Sequence, residues 1–190
     1  MKTTMTTYYQ CLYELAATMN SAHAPEAILR CIVEGVTKAT QSKGCSVMLL
    51  SPDKKVLLHT VSYGLSDWYV TKGPVSADKS ISQALEGKVV AVLKATEDER
   101  VQYREQAKKE GIASILSVPM KLRGKNIGVM RVYTEKPRHF SLRDIHFVEA
   151  VANLGAIALE NAKLYEAVQK DYETFRQDML RWMGHSGWCA

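Results

Sequence analysis

Cysteine is scarce in this chain: the four present, Cys11, Cys31, Cys45 and Cys189, stand far apart, with no C-x-x-C pair. No Cys/His cluster has metal-ligand spacing, which argues against a structural zinc site or a disulfide scaffold. Three of the four read as small core residues and Cys189 as a tail thiol. Long apolar runs are also missing, since stretches such as Val47 to Leu50 and Val89 to Leu93 fall far below the ~20 residues of a membrane-spanning helix. The N-terminal MKTTMTTYYQ carries a lysine with no apolar run behind it, so no secretory signal is expected and the expected compartment is cytoplasmic. Charge of one sign is not concentrated anywhere. The net charge of +5 comes from basic residues scattered among acids, so neither a nucleic-acid stripe nor a membrane surface is expected. A Gly-rich phosphate loop, an H-E-x-x-H helix and a nucleophile elbow are all absent, and no enzymatic activity is expected.

What is present is an ordinary folding composition. Hydrophobic residues make up 46% and charged residues 24% of 190 positions, enough for one domain with appended helices. Tyr8, Leu12, Leu15 and Met19 recur at helical spacing and predict a first helix over Thr6 to Asn20. Pro25 suits the first turn of a second helix with Ile28, Cys31, Ile32 and Val36 as its buried stripe. After Lys43-Gly44, two β-type runs flank a Pro52-Asp53 turn and predict a hairpin. A mixed region follows, with short helices near Ser66 to Thr71 and Ser80 to Glu86 and a strand from Lys88 to Leu93. Glu97 to Glu110 predicts a helix that stops at Gly111. Ser114 to Leu122 and Asn126 to Thr134 predict a second hairpin around Arg123-Gly124. In the last helix Ser141 is the expected N-cap, with Asp144 as its capping-box partner and Phe140 and Ile145 as a hydrophobic staple. No breaker follows before Gly184, which implies a helix on the order of 60 Å.

This order of elements resembles the GAF domain family over about residues 24 to 168. The strings that carry the likeness are SVMLLSPDKKVLLHTVSYGL, SILSVPMKLRGKNIGVMRVYT and RHFSLRDIHFVEAVANLGAIALENAKLYEAV. The resemblance implies an α+β fold: a GAF-like antiparallel central sheet with a helical layer on one face and a loop and short-helix pocket on the other. It divides the chain into an N-terminal dimerisation helix over 1–23, a GAF domain over 24–162 and a C-terminal helical extension and tail over 163–190. With a one-residue bulge at Gly124, Leu116, Val118, Met120, Met130 and Val132 share one face, and Ser117, Arg131 and Tyr133 share the other. The first set suits helix packing and the second a polar pocket. Ser46, Met48, Tyr63, Trp68, Tyr69 and Ser80 are further candidates for the pocket wall or lid. Each of these residues has packing as its plainer role. Arg131 reads either as half of a structural ion pair or as a contact to an anion or carbonyl.

GAF relatives bind cyclic nucleotides, linear tetrapyrroles, haem, non-haem iron or small metabolites, so the resemblance leaves the ligand and any cofactor unknown. Tetrapyrrole attachment uses a pocket cysteine, and none lies between Cys45 and Cys189. His59 is the one core-element histidine for an iron site, and a strand histidine is more often a hydrogen-bonded surface residue. The Asn-Lys-Phe-Asp-Glu set of cyclic-nucleotide relatives is not evident. The family's methionine sulfoxide reductase works with mid-domain cysteines that this chain lacks.

GAF modules pair through their first and last helices, and the last helix here has the means. Ile157, Asn161, Leu164, Val168, Tyr172, Phe175, Met179 and Trp182 recur at threes and fours with one stutter-like step. Asn161 favours an in-register parallel homodimer, the alternative being a stripe folded back onto its own domain. The reading is a small-molecule-responsive sensory module acting in signal transduction, with a separate signalling protein as output. The competing one is a dimerisation adaptor whose pocket has degenerated and takes no ligand.

Overall fold

A computed structural model describes residues 2–21, 25–76 and 82–185. Two helices open the chain, α1 (Lys2–Ser21) and α2 (Pro25–Thr40), followed by the hairpin β1 (Gly44–Leu50) and β2 (Val56–Tyr63). The segment from Asp67 to Val92 carries α3 (Asp67–Val70), β3 (Val75–Ser76), α4 (Ser82–Leu85) and β4 (Val90–Val92). Then come α5 (Arg104–Glu110), the hairpin β5 (Ser114–Leu122) and β6 (Lys125–Thr134), and α6 (Leu142–His185). The strands form one antiparallel sheet in the order β3-β2-β1-β6-β5-β4.

Strand alternation sorts the side chains into two cores. Cys45, Val47, Leu116, Val118, Met120, Met130 and Val132 face α1, α2 and α6, and meet Leu15, Ile32, Val36, Val148 and Val151 there. Met48, Leu57, Ile115, Val129 and Tyr133 face the other way, against Tyr69, Val75, Val101, Ala107 and Ile112. The two-sided sheet expected from the second hairpin is therefore present. The stripe Tyr8, Leu12, Leu15 and Met19 of α1 packs into the helical-side core, leaving Tyr9 and Tyr13 exposed.

Two local expectations are corrected. Gly124 is not a bulge: Arg123 and Gly124 have φ of 49° and 76°, so they form a two-residue hairpin turn with positive φ at both positions. The extra residue lies on β6, where Met120 pairs with Gly128 and Lys121 with Asn126, leaving Ile127 over. The helix expected over Glu97 to Glu110 begins only at Arg104. Asp98 explains the delay, because its carboxylate accepts from the Arg100 backbone N–H at 2.9 Å and from the Arg100 side chain. Such side-chain bonds offer the backbone an alternative to the helix. Val101 is then tucked into the concave-side core. The end of α5 is as expected, with Gly111 left-handed at φ 73°.

The start of α6 carries the reciprocal bonds of a capping box. Ser141 Oγ accepts from the Asp144 N–H at 3.2 Å, and Asp144 Oδ2 accepts from the Ser141 N–H at 2.9 Å. The helix runs 44 residues, about 66 Å at ~1.5 Å per residue. Its first turns bury Phe147, Val148, Val151, Ala152, Ala156 and Leu159, whereas the described side chains of its second half are exposed. Among the described residues no helix is long and apolar enough to cross a membrane.

Candidate functional site

Three neighbouring strands supply a polar floor on the concave side. Ser46 in β1 and Ser117 in β5 lie directly opposite Arg131 in β6, so period-two alternation brings all three to one face. Arg131 is only 7% exposed, and its Nε donates to Ser117 Oγ at 3.1 Å. Two residues along, Tyr133 is fully buried with its hydroxyl 3.0 Å from Ser46 Oγ. Burial holds the Tyr133 phenol in its neutral form by pushing its pKa up, against the pull of the Arg131 charge.

The irregular segment roofs this floor. Tyr69 of α3 meets Tyr133 edge to face, with ring centroids 6.1 Å apart. Immediately after α3, Lys72 turns its ammonium back over the Tyr69 ring, 3.6 Å from the centroid, and donates to the Tyr69 carbonyl at 2.7 Å. The same Nζ lies 3.3 Å from Nε2 of His59 on β2. Burial and the Arg131 charge together lower the Lys72 pKa to about 8, against the opposing pull of Glu110. Burial, Lys72 and Arg131 together bring His59 down to about 3, so its imidazole is neutral at physiological pH.

Bonds to the α5 region fix the roof. Glu110 accepts from the Ser66 N–H at 3.0 Å and from the Ser66 hydroxyl, which anchors the start of α3. Tyr103 OH donates to the Pro74 carbonyl at 3.0 Å, and Gln102 Oε1 accepts from the Ser76 N–H at 2.8 Å. Gly73 at φ 122° lets the chain turn beneath the Tyr103 hydroxyl.

Of the nine residues expected at the pocket, Ser46, Met48, Tyr69, Ser117, Arg131 and Tyr133 come together on this side. Tyr63 does not: it pairs with Cys45, whose side chain belongs to the helical-side core, and so projects away from the floor. The register explains it, because the shift between Val47 and Met48 leaves Thr60 over and changes which β2 residues share the floor. Trp68 touches the edge of Tyr69 but is 39% exposed, with the Lys109 ammonium 4.7 Å above its ring, and forms the outer surface of α3. Ser80 lies outside the described residues. Lys72 and Glu110 carry no motif or periodic signal in the sequence, and His59, the core-element histidine for which a hydrogen-bonded surface position is the commoner expectation, is half-buried on this side. Two residues on from buried Leu57, His59 shares its face, which was the available signal.

The lowered Lys72 pKa has a measurable consequence. Between pH 8 and 10.5 the unfolded chain holds more of the Lys72 proton than the folded one, so folded stability gains with pH across that interval. Below pH 10, before the tyrosines ionise, Lys72→Met is expected to flatten this rise in urea-denaturation midpoints. An unchanged pH slope in the variant would place the ammonium in water.

The family model described as the GAF domain matches residues 22–160. Among solved structures, the GAF domain of an Acinetobacter phosphoenolpyruvate-protein phosphotransferase is 22% identical, covering 82% of this chain and 94% of that one at a TM-score of 0.69. A domain of a putative two-component sensor histidine kinase protein from Sinorhizobium meliloti is 17% identical, covering 77% and 97% at 0.66. Free methionine-R-sulfoxide reductase from Neisseria meningitidis, solved with its substrate, is 16% identical, covering 83% and 91% at 0.70. No curated protein matches significantly.

Proposed function

This chain belongs to the GAF domain family, and from that premise we propose that it is a sensory module that binds a small molecule on the concave side and signals through paired α6 helices. The observation that carries the binding half is the polar set Ser46, Ser117, Arg131 and Tyr133 on the floor beneath Tyr69 and Lys72. A surface retained for packing alone is expected to be aliphatic, because burying polar groups costs free energy unless each is partnered. The sensor-kinase setting of one similar domain supports a regulatory role.

The reductase likeness does not extend to its chemistry in this reading. Cys45 is fully buried on the helical side of the sheet, where desolvation pushes its thiol far above the usual range, and so it is a poor nucleophile. The chain is proposed to bind rather than convert its ligand.

For the signalling half, α6 presents Leu164, Val168, Tyr172, Phe175, Met179 and Trp182 to solvent, Val168 and Trp182 at 66% and 69% exposure. They recur along a helix that has already left its own domain, which supports pairing over a stripe folded back, and Asn161 in the same seam is exposed too. A second copy of this chain is the occupant whose stripe has the same register, and a buried amide pairs best with its twin. The full chain is expected to sediment as a dimer and a version ending at Ala162 as a monomer. Two identical monomers in the ultracentrifuge would overturn the pairing.

The dense packing of Tyr69 on Tyr133 favours the competing reading of an adaptor without ligand. Native mass spectrometry of the purified chain separates the two. A retained small molecule, lost on denaturation, is the expected result for the sensor.

A further inference from the structure

We propose that the ligand is anionic, that a carboxylate or phosphate group on it accepts a hydrogen bond from the Lys72 ammonium in the field of Arg131, and that a separate acceptor on the same ligand takes Nδ1–H of His59. The inference rests on the reading that the concave side holds a ligand, and names that ligand's chemistry.

The argument starts from what Lys72 leaves unmet. An ammonium has three N–H donors and no acceptor. One N–H goes to the Tyr69 carbonyl, and the charge lies over the Tyr69 ring. No carboxylate stands within ion-pair distance of Lys72 among the described residues. Glu110 is the acid that acts on it, and that carboxylate already accepts from the Ser66 N–H and hydroxyl. A half-buried charge with no close counter-ion among the described residues costs free energy, and the Tyr69 carbonyl could be met by any neutral donor.

His59 supplies a second, separate observation. Because the charged ammonium only donates, the imidazole nitrogen 3.3 Å from it, Nε2, must accept. The neutral ring then carries its proton on Nδ1. That Nδ1 is buried and has no hydrogen-bond partner among the described residues. Among the described residues the site therefore presents an unmet N–H and an unmatched positive charge at the two nitrogens of one imidazole, with Arg131 raising the potential at both. A water molecule would answer the N–H alone. Only an anionic oxygen answers the charge, and charge-assisted bonds are the stronger kind. Among the described residues, His59, Arg131, Glu110 and the Tyr69 and Tyr103 rings face Lys72 from the surrounding elements, and of these only Glu110 is a carboxylic acid.

The test is a titration of the full chain at pH 7 with sodium phosphate, sodium acetate and neutral acetamide, at matched ionic strength in sodium chloride. Nitrogen resonances of the His59 ring and Lys72 are the readout. Saturable shifts are expected with phosphate or acetate, and which of them binds tighter separates a phosphoryl from a carboxylate ligand. Lys72→Gln should weaken that binding roughly ten- to hundredfold, the loss typical of a charge-assisted bond. Lys72→Arg should restore part of it. In the native chain affinity should fall as pH rises past about 8, where the ammonium loses its proton. Shifts with neither anion, or equal affinity in Lys72→Gln, would overturn the inference. Acetamide binding more tightly than acetate would also overturn it while leaving a small-molecule sensor intact, and an empty pocket in native mass spectrometry would strike that broader reading separately.

Discussion

Asp144→Ala is expected to destabilise the fold by about 3 kcal/mol in urea unfolding at pH 7, the low end of the range for breaking a buried, hydrogen-bonded charge pair, because the Arg138 side chain stays 31% exposed. This carboxylate is 6% exposed and serves three elements at once. Its Oδ2 accepts from the Ser141 N–H and hydroxyl at 2.9 and 3.0 Å, which caps α6. Its Oδ1 accepts from Arg138 at 3.0 Å and from the hydroxyl of Tyr8 in α1. Arg138 in turn donates to the Thr40 carbonyl at the end of α2. Alanine would remove the carboxylate half of the capping box, worth about 1 kcal/mol, and leave the Tyr8 hydroxyl and Arg138 without their shared acceptor. Tyr8→Phe should cost less, about 1 kcal/mol, since the ring keeps its stack on Phe147 at 4.1 Å between centroids. Equal costs for the two variants would mean that the carboxylate's other bonds contribute nothing.

Acid should reproduce the same loss. Burial opposes ionisation of Asp144, but hydrogen bonds from Tyr8 and Ser141 and the Arg138 charge outweigh it and hold the carboxyl below its ordinary 3.8. A carboxylate with a lowered folded pKa stabilises above its unfolded value, and the contribution disappears as pH falls through the folded one. Asp144→Ala should therefore lack part of the native loss of stability below pH 4.

Much of the fold was legible because its signals are local. The pair Ser141 and Asp144 marks a helix start through bonds spanning three residues, and the alternation in ILSVPMKLRGKNIGVMRVYT marks a hairpin through strand period alone. The failures came where a side chain competed with the backbone or where two strands had to agree. Nothing in the helix-forming composition of 97–103 shows that Asp98 will bind the Arg100 N–H and delay α5. The hairpin turn itself absorbs Arg123 and Gly124, so the odd residue moves to Ile127, which only the pairing of β5 with β6 reveals.

The site divides along the same line. Ser117, Arg131 and Tyr133 follow from alternation within one hairpin, and Ser46 follows from its place opposite Arg131. Tyr63 was misplaced because a register shift in β2 exchanges the faces of its end residues. Lys72 was invisible for a different reason. Its role depends on a fold-back of the chain after α3 over a ring three residues earlier, a tertiary arrangement with no periodic trace.

Gly128→Ala probes how closely that floor is built, and it is expected to cost about 3 kcal/mol or more, the upper range for overpacking against atoms that cannot rotate away. A Cβ there would stand 2.4 Å from the Met48 carbonyl oxygen and 3.2 Å from the Leu49 Cα. Gly128 pairs with Leu49 on one side and Met120 on the other, in the middle of the sheet and next to the extra Ile127. The obstacle is backbone, so β1 and β6 must separate, and the displaced residue, Met48, lies on the concave side of the sheet with Ser46. Gly124→Ala supplies the contrast: it has positive φ of 76° but nothing within 4 Å of a new Cβ. Backbone strain of about 1 kcal/mol is its only expected cost. Melting curves should therefore rank Gly128→Ala well below Gly124→Ala. The reverse order would mean that the strands approach each other less closely than the Met48 carbonyl contact requires, and that the floor has room to yield.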